Sequence, residues 1–162
     1  MNIFVLHNDP ETAASMVCDK HVVKMILETA QMMCTVVASH GHDTPYRPTH
    51  KKHPCTLWAG KSRANWSWLI DHGMAMSEEY TRRYGRVHKS QSVIEWCAMK
   101  HIDLPDTSLT PFAQAMPAQY KNVCAVTAYR DYYLGEKSAI AKWSHSPTPE
   151  WFKSGTAINR SI

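Results

Sequence analysis

Asp19, His21, Lys24 and Glu28 stand close together in the run DKHVVKMILE. Two carboxylates, an imidazole and an ammonium are the groups of acid–base chemistry. Wound as an α-helix, the surrounding stretch from Val17 to Thr35 separates into two sides. Val22, Val23, Ile26, Ala30, Met33, Cys34 and Val37 form a broad apolar arc. His21, Lys24, Glu28, Gln31 and Thr35 fall within about 80° of each other opposite it. If something roofs this strip, shelter lifts the Glu28 carboxyl toward the range of a general acid, while Lys24 one turn earlier opposes the rise. If nothing does, Lys24 and Glu28 are a solvated pair worth roughly a few tenths of a kcal/mol.

The strip needs a helix to carry it and other elements to cover it. Asn8-Asp9-Pro10-Glu11 is a helix start, with Asp9 as cap and Pro10 in the first turn. A helix is expected from Pro10 toward His40, jogged near Cys18-Asp19 and ended by Gly41. Residues 2–6 (NIFVL) read as a short strand or an extended arm, and 41–53 as a polar loop with a basic end. Pro54 opens a short helix (54–59), a long one follows over 61–84, and Gly85 stops it. Further helices are expected over Gln91–Lys100 and Asn122–Ala141, separated by an irregular, proline-rich segment (102–118). Trp58, Trp68, Leu69, Met76, Tyr80 and Tyr84 supply a buried face of the long helix, leaving its arginines wet. Strand signals are nearly absent. The expectation is an all-α, mostly helical single domain over 1–152, anchored by Trp151-Phe152, with a frayed tail at 153–162.

Composition sets the bounds. The chain has 162 residues, 44% hydrophobic and 20% charged, which suffices for one domain with its own core. A net charge of +4 permits nucleic-acid binding without requiring it. Six Trp and seven Tyr interleaved with Arg and Lys suit unstacked bases, although aromatic rings also build cores. Five widely spaced cysteines without a C-x-x-C pair read as reduced thiols of a cytoplasmic protein. The start MNIFVLHNDP lacks the basic region of a signal peptide, and no window was expected to approach a membrane span.

Two further groups could touch a ligand. His50-Lys51-Lys52-His53-Pro54-Cys55, with His40 and His42 nearby, has metal-ligand residue types but not the paired short spacings of a zinc module. No metal is assigned; Lys51, Lys52 and His53 are expected beside a nucleic-acid backbone, with His53 also capping the next helix. A basic-aromatic set comprises Arg63, Trp66, Arg82, Arg83, Arg86, His88 and Lys89, then Tyr129, Arg130, Tyr132 and Tyr133. Together these would supply phosphate contacts and base stacking. Individually they fit a solvated helix flank, with Glu78 and Glu79 pairing Arg82 and Arg83 at i+4.

The order Asp19, His21, Glu28 resembles the first long helix of the pyrimidine-dimer DNA glycosylases of the phage endonuclease V type. The longer string from Lys20 to Met33 (KHVVKMILETAQMM), followed by His53-Pro54-x-x-x-Trp58, is similar to bacterial and phage relatives of that family. The likeness covers roughly residues 1–90. It implies a mostly helical domain that breaks the base–sugar bond of DNA with the chain's own terminal α-amine, assisted by a glutamate of the first long helix. The amine attacks the sugar C1′ to form an imine, and β-elimination then nicks the strand. An α-amine titrates near neutrality, so much of it is free nucleophile, unlike a lysine.

Carried over by position, Glu28 is the catalytic carboxylate, His21 and Lys24 share its pocket, and Met1 or Asn2 supplies the amine. The phage enzyme exposes a small residue once its initiator Met is removed, whereas Asn2 is bulky and leaves Met1 in place. Either Met1 offers the amine, or the amine route is lost and Glu28 activates water. The phage enzyme's arginine just before the glutamate is replaced by Leu27. Lys20, Lys51, Lys52, His53, Arg63, Arg82, Arg83, Arg86, Lys89, Tyr129, Arg130 and Tyr133 are the expected DNA contacts, on a duplex with an extruded nucleotide. No cofactor is implied, and a monomer off the membrane is the default. Two other classes stay open: a base-hypermodifying or transferase enzyme on the same scaffold, and a non-catalytic nucleic-acid- or protein-binding module.

Overall fold

The computed structural model describes residues 1–159 and, among them, shows seven α-helices and no strand. α1 (Pro10–Met16) starts where Asp9 Oδ2 accepts the Thr12 N–H at 2.8 Å and Pro10 fills the first turn. It does not run on into the next helix. Extended backbone at Val17 and Cys18 separates it from α2 (Asp19–Ser39). α3 (Pro54–Ala59) is capped by His53, whose Nδ1 accepts the Cys55 N–H at 3.2 Å. α4 (Arg63–Tyr84) is capped by Ser62 and ends on Gly85, whose φ of +66° is the left-handed conformation that closes a helix. α5 (Gln91–Ala98), α6 (Ala125–Tyr132) and α7 (Glu150–Asn159) follow. α6 runs into a π-helical turn at Tyr133–Lys137, so the single helix expected to Ala141 is shorter and changes pitch. The tail expected to fray from residue 153 continues as α7 to Asn159, and residues 160–162 lie outside the described residues.

α2 is the axis of the packing, with α3, α4 and α5 laid against it. Close approach depends on Gly73 of α4. A Cβ there would sit 2.9 Å from Thr29 Cγ2 of α2 and 3.2 Å from Ile94 Cδ1 of α5. Residues from Ile3 to Phe152 contribute to one hydrophobic core. α2 is long and apolar enough to cross a membrane by length and composition, contrary to the sequence expectation. Its most apolar stretch is, however, 67% buried inside the protein, as a core helix should be.

Partly buried ion pairs of Arg83 tie α4 to the start of α2. Arg83, expected in solvent, is 5% exposed. It donates to Glu79 at 2.9 Å, to Asp19 at 3.3 Å, and to the Val17 and Ser15 carbonyls. Asp19 also accepts the Ser144 N–H at 2.7 Å, which ties the C-terminal segment to the start of α2. Arg82 bonds Glu79, not Glu78, together with Ser146 and the His145 carbonyl.

Candidate active site at the chain terminus

Residues 1–9 form an extended arm, and Asn2 to Leu6 of it are buried. Phe4 adopts a φ of +53°, a conformation a bulky aromatic residue holds only when its surroundings impose it. Those surroundings are visible. The Phe4 ring stacks on His21 at 4.2 Å between centroids and meets Tyr129 and Tyr133 edge-on. The Asn2 carboxamide accepts from the Ile3 and Phe4 N–H groups at 2.8 and 3.2 Å and donates to the Ala115 carbonyl at 2.8 Å. Arg130 donates to the Leu6 carbonyl at 3.0 Å, and Trp68 to that of Asn8 at 2.7 Å. His72 lies within 3.0 Å of the Pro10 carbonyl and 3.3 Å of that of Ile3. Side chains from α2, α4 and α6 thus fix the backbone of the arm, and with it the position of the first residue.

That position is beside Glu28. The carboxylate is 7% exposed, so the strip of α2 is roofed where it matters. Its Oε2 accepts the Asn2 N–H at 2.9 Å and lies 3.4 Å from the Met1 α-amine, while Oε1 lies 3.5 Å from Lys24 Nζ. Lys24 is largely in solvent, so its pairing adds little stability. A primary amine and a carboxylate held together at the edge of the fold can attack an electrophilic carbon and move the protons that the attack displaces. His53 stands within electrostatic reach. Burial first, then the Met1 ammonium and His50, hold its imidazole below the usual range, with Glu28 opposing.

The remaining expected site residues sort into three groups. His21 is buried, hydrogen-bonded through Nδ1 to the Tyr133 hydroxyl, and two turns of α2 from Glu28. Burial, with Lys137 and Lys24, holds its pKa down to about 4, so it is a neutral support for Phe4 and not a partner of Glu28. Arg83, Tyr129 and Tyr133 were expected on the DNA face and are instead interior, the tyrosines fully so. Tyr129 bonds the Ala113 carbonyl at 2.7 Å. Arg130 is spent on the arm and on the face of Trp151. Lys20, Lys51, Lys52, Arg63, Arg82, Arg86 and Lys89 are exposed. They do not make one patch, since Arg63 and Arg86 flank α4 at opposite ends, about 33 Å apart along its axis.

A family model for pyrimidine dimer DNA glycosylases matches residues 1–92, the arm and α1 to α4 with the start of α5. The chain belongs to the pyrimidine dimer DNA glycosylase family. No curated protein and no solved structure matches it. Both groups of the amine–carboxylate pair of this glycosylase-family protein lie in the matched part, as does Lys24. The clamp on the arm lies there only in part: His21, Trp68 and His72 are inside the match, while Ala115, Tyr129, Arg130 and Tyr133 come from residues beyond it. The family acts on DNA, and the glycosylase class makes an enzyme of the chain.

Sequence reasoning missed Tyr46 and Arg47, which line a hollow beside α2 together with Leu27 and Gln31. The two prolines around them, in P-Y-R-P, were the available signal, because they stiffen a loop against a functional face. Val23, on the apolar arc of α2, is 42% exposed. Among the described residues, no three His, Cys, Asp or Glu side chains converge as a metal-ligand set.

Proposed function

We propose that the protein is a DNA glycosylase with abasic-site lyase activity, acting through the α-amine of Met1 and the carboxylate of Glu28. The observation that carries this reading is their 3.4 Å separation, with Glu28 only 7% exposed and the amine held at the end of a clamped arm. The unprotonated amine attacks C1′ of the damaged nucleotide. The glycosidic bond breaks and the base leaves with the bonding electrons and a proton. The ring-opened sugar is then held as an imine to Met1. Glu28 accepts the proton that the amine loses, passes it on, and serves again as base when C2′ is deprotonated and the 3′ phosphate is eliminated. The Asn2 N–H orients Oε2 for this work, and Lys24 at Oε1 offers a cation to the adjoining phosphate.

Borohydride reduction in the presence of ultraviolet-irradiated duplex DNA tests the proposal. An imine is reduced to a stable amine, so a covalent protein–DNA adduct that maps to the Met1 peptide is the expected product. Glu28→Gln keeps a carbonyl for the Asn2 N–H but loses the base, and cleavage should fall about 10²- to 10⁴-fold. Cleavage without any trapped adduct would replace the amine route by water activated at Glu28. Undiminished cleavage by Glu28→Gln would refute the assignment.

A further inference from the structure

None of the five cysteines takes part in the chemistry of Met1 and Glu28, yet two of them meet. Cys34 of α2 and Cys97 of α5, 63 residues apart in the chain, place their sulfurs 3.7 Å from each other in the core. Cys18 and Cys55 meet tyrosines instead, Tyr133 and Tyr129, and Cys124 is exposed. Two thiols touching inside a core can be packing alone. Here one of them is also activated. Cys34 accepts the Cys97 S–H and a weaker bond from the Tyr46 backbone, which against burial hold its thiol down to about 7. The same bond, with burial, pushes Cys97 up. Much of Cys34 is then thiolate at neutral pH, and the thiolate is the form that reacts. Its cover is loop and not helix. Tyr46, whose backbone reaches the sulfur, is half-buried and lines two hollows of about 630 Å³. The two helices are also closely seated beforehand, since Thr29 of α2 and Ile94 of α5 both close on the place a Gly73 Cβ would take.

We propose that Cys34 and Cys97 are a site of reversible oxidation, forming a disulfide that staples α2 to α5 when hydrogen peroxide reaches them. The Cys34 thiolate attacks one peroxide oxygen and the O–O bond breaks. The sulfur becomes a sulfenic acid, and the other oxygen leaves as hydroxide and takes a proton to become water. The Cys97 sulfur then attacks the Cys34 sulfur. The S–S bond forms, the S–O bond breaks, and the oxygen leaves with the Cys97 proton as a second water. Two thiols have lost two electrons and two protons, and the peroxide has become two waters. A thiol reductant reverses the bond. The sulfurs need to approach by about 1.7 Å, which side-chain rotation supplies. Glu28 lies six residues before Cys34, about 120° round the helix, so the staple leaves the amine–carboxylate pair in place. Closing so long a loop takes freedom from the unfolded chain and stabilises the fold. The staple does not depend on which bond Glu28 helps to cut.

Cys124→Ser, which removes the exposed thiol and with it cross-links between chains, is treated with hydrogen peroxide, unfolded, alkylated and weighed. The expected product is two hydrogen atoms lighter and keeps two alkylatable thiols, Cys18 and Cys55. Digestion without reductant should yield one linked pair of peptides, carrying Cys34 and Cys97. The urea midpoint should rise by about 1 M or more and return on reduction with dithiothreitol. Cys97→Ala in the same background should leave a Cys34 sulfenic acid that a cyclic dione captures, with no rise of the midpoint on oxidation. The linked peptides come from protein that keeps both cysteines, so they decide the matter even where Cys97→Ala does not fold. Four thiols alkylated in full after peroxide, linkage of any other two cysteines, or a midpoint that fails to rise when the bond forms overturns the proposal.

Discussion

A chain beginning Gly-Met1 separates the terminal amine from Glu28 while leaving the rest of the site alone. One added residue carries the amine about 3.5 Å further along an extended chain. The nitrogen now 3.4 Å from Oε2 becomes an uncharged amide, and the new amine stands about 7 Å away. The clamp is not touched, because the Asn2 carboxamide still holds Ile3, Phe4 and Ala115, and the Asn2 N–H still meets Glu28 at 2.9 Å. A misplacement of about 1 Å can cost about 10²-fold, so imine formation should fall by at least that factor, about 2.7 kcal/mol in the barrier. Single-turnover borohydride trapping on irradiated DNA measures the rate, and anisotropy on the same duplex should show a dissociation constant changed less than twofold. Trapping within threefold of the unextended chain, or an adduct that maps to the Lys24 peptide, would refute the reasoning.

Arg83→Leu should destabilise the fold by about 3–5 kcal/mol in urea titration, because it strands the Glu79 and Asp19 carboxylates at the edge of the core. Arg86→Ala should leave the urea midpoint nearly unchanged and lower the slope of log affinity against log salt by about 1 if Arg86 neutralises one phosphate. Gly73→Ala should cost about 1–3 kcal/mol in the same titration, since the added methyl meets Thr29 Cγ2 at 2.9 Å with Ile94 behind it. His21, ordinarily near 6.5, is held at about 4 in the fold, so the unfolded chain takes up its proton first on acidification. Stability is therefore undiminished by this group above about 6.5 and falls by up to about 3 kcal/mol as pH drops toward 4. Urea midpoints at pH 7, 5.5 and 4.5 should fall less steeply for His21→Phe, which keeps a ring under Phe4.

The local signals of the chain are short-range physics and could be read directly. Asp9-Pro10, His53-Pro54 and Gly85 bound helices by bonds or dihedrals within three residues of themselves, and each sits where that chemistry placed it. The periodicity of α2 likewise put Lys24 and Glu28 on one side of a helix, since a helix carries its angular order wherever it lies. What covers that side was a matter of the tertiary structure. The shelter of Glu28 comes from an arm with no periodicity to read, held in a left-handed turn at Phe4 by a histidine and by tyrosines more than a hundred residues away. The same limit applies to the cations. Arg83 and Arg86 look alike in sequence, yet one is buried against half-buried carboxylates of α2 and α4 and the other lies exposed, bonded to the Tyr80 hydroxyl. A side chain's type states which bonds it can make, and long-range packing selects which partner is there to receive them.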